Sequence, residues 1–153
     1  MKLRLYIDTS VIGGYYDEEF KESTRALFER LNNREVIFMV SDLLELELTN
    51  APQRVRDLLA TIPSSHIEYV SITEEIIKLA DSYIRGKVVG KTSLEDCRHI
   101  AMATVYHADV LVSWNFKHIV NLDRIKGYNS VNLRSGYQLL EIRSPKDLIN
   151  YAD

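Results

Sequence analysis

Residues 36–48 read VIFMVSDLLELEL, and the change of pattern inside this stretch decides the fold. Val36 to Val40 is an unbroken apolar run, as expected of a strand covered on both faces. At Ser41 and Asp42 the pattern changes. Either residue offers a side-chain oxygen to cap a helix, which the sequence carries to about Asn50. A buried strand running straight into a helix belongs to a strand–helix–strand unit, whose strands lie parallel.

The same alternation extends outward in both directions. Leu3 to Ile7 (LRLYI) is a β-type run ending at Asp8, after which Thr9 and Ser10 can cap a short helical turn that Gly13-Gly14 breaks. A helix from about Asp17 to Leu31 carries Phe20, Thr24, Leu27, Phe28 and Leu31 at helical spacing and stops at Asn32-Asn33. Pro52 opens a helix to about Ile62, and Ile67 to Ile72 has strand character. Thr73 caps a helix through Arg85 that Gly86 ends, and Lys87 to Lys91 is a loop. Thr92-Ser93-Leu94-Glu95 has the form of a capping box, with Thr92 as cap, opening a helix to about His107. Val110 to Val112 is another buried strand. FKHIVNLDRI, after Asn115, reads as a short helix; Val131–Leu133 and Leu139–Ile142 read as weak strands. Ser144-Pro145 then opens a last short helix through Leu148. The expected architecture is a three-layer α/β/α sandwich around a central, mainly parallel sheet.

A chain of 153 residues can bury roughly 68–70% of its unfolded surface, and one domain over residues 1–153 is expected. The net charge of −3 and pI of about 5.8 argue against nucleic-acid binding through bulk positive charge. They leave open an acidic site neutralised by metal. The single cysteine, Cys97, excludes an intrachain disulfide and suits a reducing compartment. MKLRLYIDTS is a poor signal peptide, and no run reaches the ~18 apolar residues of a spanning helix, so a cytoplasmic protein without membrane contact is expected.

Helical position sorts the acids. On the helix from Asp42 to Ala51, at 100° per residue, Leu43, Leu44, Leu46, Leu48 and Ala51 define one apolar face. Glu47 falls near the middle of that face and Glu45 almost opposite. A lone carboxylate aimed at a core is costly unless paired or bound to metal. Glu47 is therefore either a rim acid paired with a Lys or Arg, or a functional group. On Ser93–Ala108 the stripe is Leu94, Cys97, Ala101, Thr104, Val105 and Ala108. Asp96 lies at its edge and Glu95 far from it; Asp96 also sits in the first turn, where the helix dipole favours a negative charge. Asp8 ends the first strand and Asn115 follows Val110–Val112, the positions at which sites form in open parallel sheets, although Asp and Asn are also ordinary turn residues there. Together Asp8, Glu47 and Asp96 can meet across one crevice. An all-oxygen set suits Mg²⁺ or Mn²⁺, and phosphodiester hydrolysis is the natural reaction of such a site.

Four segments resemble the PIN-domain family in order and spacing over most of the chain: YIDTSV (Tyr6–Val11), SDLLELEL (Ser41–Leu48), EDCRHIAMA (Glu95–Ala103) and ADVLVSWNFKHI (Ala108–Ile119). The resemblance places the family's metal-binding acids at Asp8, Glu47 and Asp96, with Ser113 and Asn115 at the usual Thr and Asp positions. It implies an endoribonuclease of the kind that serves as the toxin of a toxin–antitoxin pair, with RNA as substrate, a small antitoxin protein as inhibitor, and a homodimer. The implied mechanism has the three acids hold one or two Mg²⁺ or Mn²⁺ ions, a metal-activated water attack the RNA phosphate, and Asn115 or Ser10 orient the metal or water. Asn115 departs from the family's Asp and brings no charge, which bears on the second metal; Asp123 is a further candidate to supply it.

Other residues read as structural or solvated. His99, one turn from Asp96, reads as a packed or surface helix histidine ahead of a group that orients that carboxylate. Cys97 reads as packing, Trp114 as packing ahead of a base-stacking platform, and Lys117, His118, Arg124 and Lys126, like Arg54 and Arg56, as a solvated basic face or phosphate contacts. Among rival classes, a phosphatase of the haloacid dehalogenase type needs a second Asp where Ser10 stands. A dinucleotide fold lacks G-x-G-x-x-G and a serine hydrolase lacks G-x-S-x-G. A PIN-like RNA- or protein-binding module with weak catalysis is the alternative to a full nuclease.

Overall fold

A computed structural model of the chain describes residues 2–149. Its centre is a five-stranded parallel sheet: β1 (Leu3–Ile7), β2 (Val36–Ser41), β3 (Ile67–Val70), β4 (Val110–Val112) and β5 (Ile142–Arg143), in the order β3-β2-β1-β4-β5. Tyr6 pairs with Met39 on one side of β1 and Leu111 on the other. The first strand is thus the middle one, and the direction of neighbouring connections reverses beside it, the position at which open parallel sheets form a crevice at the carboxyl end.

Strand alternation splits the core into two. Leu5, Ile7, Phe38, Val40 and Val112 face a layer made by α1 (Thr9–Gly14), α2 (Lys21–Asn32) and α4 (Gln53–Ala60). Tyr6, Met39, Val70, Leu111 and Ile142 face the opposite layer of α5 (Glu74–Arg85), α6 (Leu94–Val105) and α7 (Leu122–Arg134). Each such buried Leu, Ile or Phe contributes roughly 1.5–3 kcal/mol. The short α3 (Asp42–Leu48) contributes to both cores, through Leu43 on one side and Leu44 and Leu48 on the other.

The strand–helix alternation predicted from residues 36–48 is present, and Ser41 caps α3 by accepting the Leu44 N–H at 3.0 Å. Several boundaries differ. Asp17 Oδ1 accepts the Glu19 and Phe20 N–H groups, so a turn precedes α2, which starts at Lys21. Gly13-Gly14 does not break α1 but lies within it. Lys91–Ser93 is a 3₁₀ turn and α6 starts at Leu94 without a side-chain cap, so the box expected at Thr92 is not formed. Val131–Leu133 is helix, not strand. α7 runs to Arg134 because Tyr128, Val131 and Asn132 recur at helical spacing on its buried face, where Asn132 accepts the Tyr83 hydroxyl at 2.5 Å. The expected strand at Leu139–Ile142 shrinks to the two residues of β5. No described helix is long and apolar enough to cross a membrane.

Candidate active site

The carboxyl end of β1 delivers Asp8, only 5% exposed, into the crevice. Both its oxygens are held: the Ser10 hydroxyl donates to Oδ1 and the Ser113 hydroxyl to Oδ2, each at 2.6 Å. The two serines come from opposite sides of the β1–β4 junction, Ser10 from α1 and Ser113 from the residue after β4. Trp114 N–H donates to Ser10 Oγ at 2.9 Å, and Asn115 N–H donates to Ser113 Oγ at 2.9 Å, so the backbone after β4 locks both hydroxyls. Burial raises the Asp8 carboxyl above its ordinary pKa, against the hydrogen bonds and the proximity of His99.

Glu47 comes from the last turn of α3. Its Oε1 accepts the Thr9 hydroxyl at 2.5 Å and faces His99 Nε2 at 2.7 Å. Half-burial pushes this carboxyl up, but the His99 and Thr9 contacts outweigh it and hold it below the ordinary value. Glu45 is exposed, as the helical position requires. Leu46, assigned to the same apolar face, is 67% exposed instead, because α3 sits at the junction of the two cores and turns that side outward.

Asp96 occupies the first turn of α6 and is half-buried. Its carboxyl lies above the ordinary value, first through burial and then through the charges of Asp8 and Glu47, with His118 and His99 acting the other way. Asp96 thus feels the charges of both Asp8 and Glu47. Asn115 Nδ2 donates to Asp96 Oδ2 at 3.4 Å, while Asn115 Oδ1 accepts the backbone N–H groups of Lys117 (3.2 Å) and His118 (2.9 Å). Asn115 therefore links the Asp8 side of the site to Asp96. Asp123 lies exposed in the first turn of α7.

His99 is the group that sequence reasoning undervalued. It is 2% exposed and spans two partners, Glu47 at Nε2 and the Tyr6 hydroxyl at Nδ1 (2.6 Å). It orients Glu47, not Asp96. Tyr6 in turn touches Ser41 Oγ at 3.0 Å, so the cap of α3 and the orientation of its Glu47 share one buried chain. The sequence allows either a packed or a surface histidine at this position. In fact α6 is buried nearly all round, from His99 to Thr104, so the wheel has no polar side to offer it. Trp114, by contrast, is packing: it stacks on Phe20 with centroids 4.2 Å apart and donates Nε1–H to Thr24 at 2.8 Å. Cys97 is buried, with its thiol pushed up to about 12 by burial, as inert packing requires.

The donor chemistry fits a hard divalent cation, being carboxylate oxygen throughout. Among the described residues, no group of three or more His, Cys, Asp or Glu side chains is arranged to hold a metal ion as it stands. In this arrangement hydroxyls donate to both oxygens of Asp8, and Thr9 and His99 share Oε1 of Glu47.

Comparison with known proteins bears on this arrangement. Residues 5–120 match the family model described as "PIN domain". Three solved structures share the fold. VapBC2 from Rickettsia felis, bound to a DNA fragment from their promoter, aligns with TM-score 0.58 and 15% identity, covering 93% of this chain and 98% of that one. FitAcB from Neisseria gonorrhoeae aligns with TM-score 0.58 and 14% identity, covering 94% and 99%. VapC20 from Mycobacterium tuberculosis, a toxin that cleaves the sarcin–ricin loop, aligns with TM-score 0.55 and 11% identity, covering 74% and 91%. No curated protein sequence matches the chain significantly.

Proposed function

The chain belongs to the PIN-domain family, and from that premise we propose that it is a divalent-metal-dependent endoribonuclease that hydrolyses RNA phosphodiester bonds. What supports this reading, beside the family, is the hydrogen-bonded chain at the carboxyl end of the sheet, in which Ser113 holds Asp8, Asn115 holds Ser113, and the Asn115 amide reaches Asp96. PIN domains generally depend on divalent metal. Asp8, Glu47 and Asp96 would hold Mg²⁺ or Mn²⁺, which when bound polarises a phosphate oxygen and acidifies water. Ser10 and Ser113 fix the rotamer of Asp8. His99 and Thr9 turn Glu47 inward. Asn115 steadies Asp96 and presents an amide, not a charge, beside it.

VapC20 supports RNA as the substrate class, being a fold relative that cleaves an RNA loop. We further propose that the chain is one domain over residues 1–153, works in the cytoplasm as the toxin of a type II pair, is silenced by an antitoxin protein, and forms a homodimer. Asn115 favours a second reading, a PIN-like binding module with weak catalysis, because the amide leaves the site one charge short of the family's acidic quartet.

The test is cleavage of single-stranded RNA in Mg²⁺ or Mn²⁺ against chelator. Asp96→Asn is expected to abolish cleavage while its far-ultraviolet circular dichroism stays that of the wild type. Full activity in that variant, or cleavage that persists in chelator, contradicts the nuclease reading. Tight RNA binding without turnover in Mn²⁺ supports the second.

A further inference from the structure

The turn between α5 and α6 forms a second feature that the acids do not explain. A surface cavity of about 370 Å³ is lined by Ile84, Lys87, Val89, Gly90, Lys91 and Arg124: three cations and no carboxylate. A neighbouring depression of about 340 Å³ shares Ile84 and Lys91 and adds Arg85 and Asp81. The combined concavity holds four cations against one acid, in a chain whose net charge is −3.

None of Lys87, Lys91, Arg124 or Arg85 forms an ion pair among the described residues, although Asp81 lines the same concavity as Lys91 and Arg85. Arg124 is half-buried and donates to the Val88 carbonyl, which pins its guanidinium on the wall of the cavity. The turn itself is held against α7, because Val88 packs so closely on Gly127 that a Cβ there would stand 2.7 Å away. The cations therefore sit on a fixed support, and a guanidinium pinned by one N–H keeps others free for an anion.

Both walls are continuous in sequence with elements of the acidic site. Lys91 opens the 3₁₀ turn that runs into α6, and Asp96 follows five residues later. Five residues reach at most about 18 Å, and less in helical backbone. Arg124 stands in the first turn of α7, whose preceding loop carries Asn115.

We propose that this concavity is a backbone-phosphate subsite for single-stranded RNA, in which Lys87, Lys91 and Arg124 anchor a phosphate distant from the one cleaved. The proposal rests on the nuclease reading. It resolves a physical conflict in that reading, since an acidic protein with an acidic site repels the polyanion it must hold. A local cluster of cations with no ion pair among the described residues supplies the attraction that net charge does not.

The experiment compares wild type with Lys87→Gln, Lys91→Gln and the double variant, leaving Arg124 intact because it also ties the turn to α7. Lys2→Gln removes a charge just before β1, at the opposite end of the sheet from Asp8, and serves as control. Binding of a single-stranded RNA oligonucleotide in chelator is read by fluorescence anisotropy over a salt series. Cleavage of the same RNA and of bis(p-nitrophenyl) phosphate, whose single phosphate cannot occupy both sites at once, is read in Mn²⁺. The double variant is expected to bind RNA about tenfold more weakly, with the salt slope reduced by about 0.7 for each phosphate no longer neutralised, and to hydrolyse the small diester as the wild type does. Unchanged RNA affinity and salt slope, or an equal loss in Lys2→Gln, overturns the subsite. If wild type cleaves neither substrate, the nuclease reading fails, and the binding series still decides the subsite.

Discussion

Nε2 of His99 stands 2.7 Å from Oε1 of Glu47, and the histidine is 2% exposed. Facing a carboxylate that can only accept, Nε2 must carry the hydrogen. The Tyr6 hydroxyl at Nδ1 can donate or accept, so it completes the ring's bonding without disturbing that assignment. The pair converts a partly core-facing acid on a two-turn helix into one with a fixed direction.

Removing the donor should release Glu47. His99→Leu is expected to weaken Mn²⁺ binding, measured by titration calorimetry, by about 10–100-fold, the usual cost of losing a group that orients a metal ligand. His99→Gln, whose amide can donate from a similar place, should recover much of the loss. Equal Mn²⁺ affinity in wild type and His99→Leu would mean that Glu47 is held by other means.

The carboxyl shifts predict opposite effects on metal-free stability. Asp96 binds its proton more tightly folded than unfolded, so ionising it costs stability. That cost is absent below the unfolded pKa, grows between the unfolded and folded values, and is complete above the folded one. Glu47 has the depressed value, so its ionisation stabilises above the unfolded pKa, and this contribution is lost as pH falls through the folded one. In chelator at pH 7, Asp96→Asn should raise Tm and Glu47→Gln should lower it, with both differences fading in acid. Thermal melts showing the same sign for the two variants would refute this account of the site's electrostatics.

Divalent metal should reverse the first of these effects. Mn²⁺ added to wild type is expected to raise Tm as a ligand of the native state, by mass action. Asp96→Asn and Asp8→Asn, each short of one charge, should show little or no Mn²⁺ stabilisation. A wild-type-sized Mn²⁺ shift in both variants would place the ion elsewhere.

Asn115→Asp restores a fourth charge beside Asp96. Its remaining oxygens can still accept from Lys117 and His118, but the donor to Asp96 becomes a second anion. The variant should be less stable than wild type in chelator, bind Mn²⁺ more tightly and cleave RNA faster. Unchanged Mn²⁺ affinity and turnover would show that the amide is not what limits the site.

Gly14 is packed where no side chain fits. A Cβ there would lie 2.7 Å from Nε1 and 2.8 Å from Cδ1 of Trp114, and 2.8 Å from Thr24 Oγ1. Gly14→Ala is expected to cost about 1–3 kcal/mol in denaturant unfolding, as overpacking does. It should also disturb Trp114, whose backbone N–H holds Ser10. A cost below roughly 0.5 kcal/mol, the size of an ordinary surface substitution, would show that the indole yields freely.

The sequence by itself determined the layered alternation of strand and helix and the choice of Glu47 over Glu45, because burial writes a local period into the chain. The strand ends named Asp8 and Asn115 for the same reason, since a strand that enters a parallel sheet puts its following residues at the crevice. Helical position also preferred Asp96 to Glu95, and the structure leaves Asp96 half-buried and Glu95 exposed. What the period could not carry was anything set by a neighbour distant in sequence. His99 became a Glu47 partner only because α6 is enclosed between β-sheet and helices, 52 positions away along the chain. The buried partner of Asn132 on α7 is likewise set from afar, by the Tyr83 hydroxyl 49 positions away. The serine hydroxyls that clamp Asp8 meet only when β4 pairs beside β1. Local pattern reports which way a residue faces; only the packed chain decides which group is there to meet it.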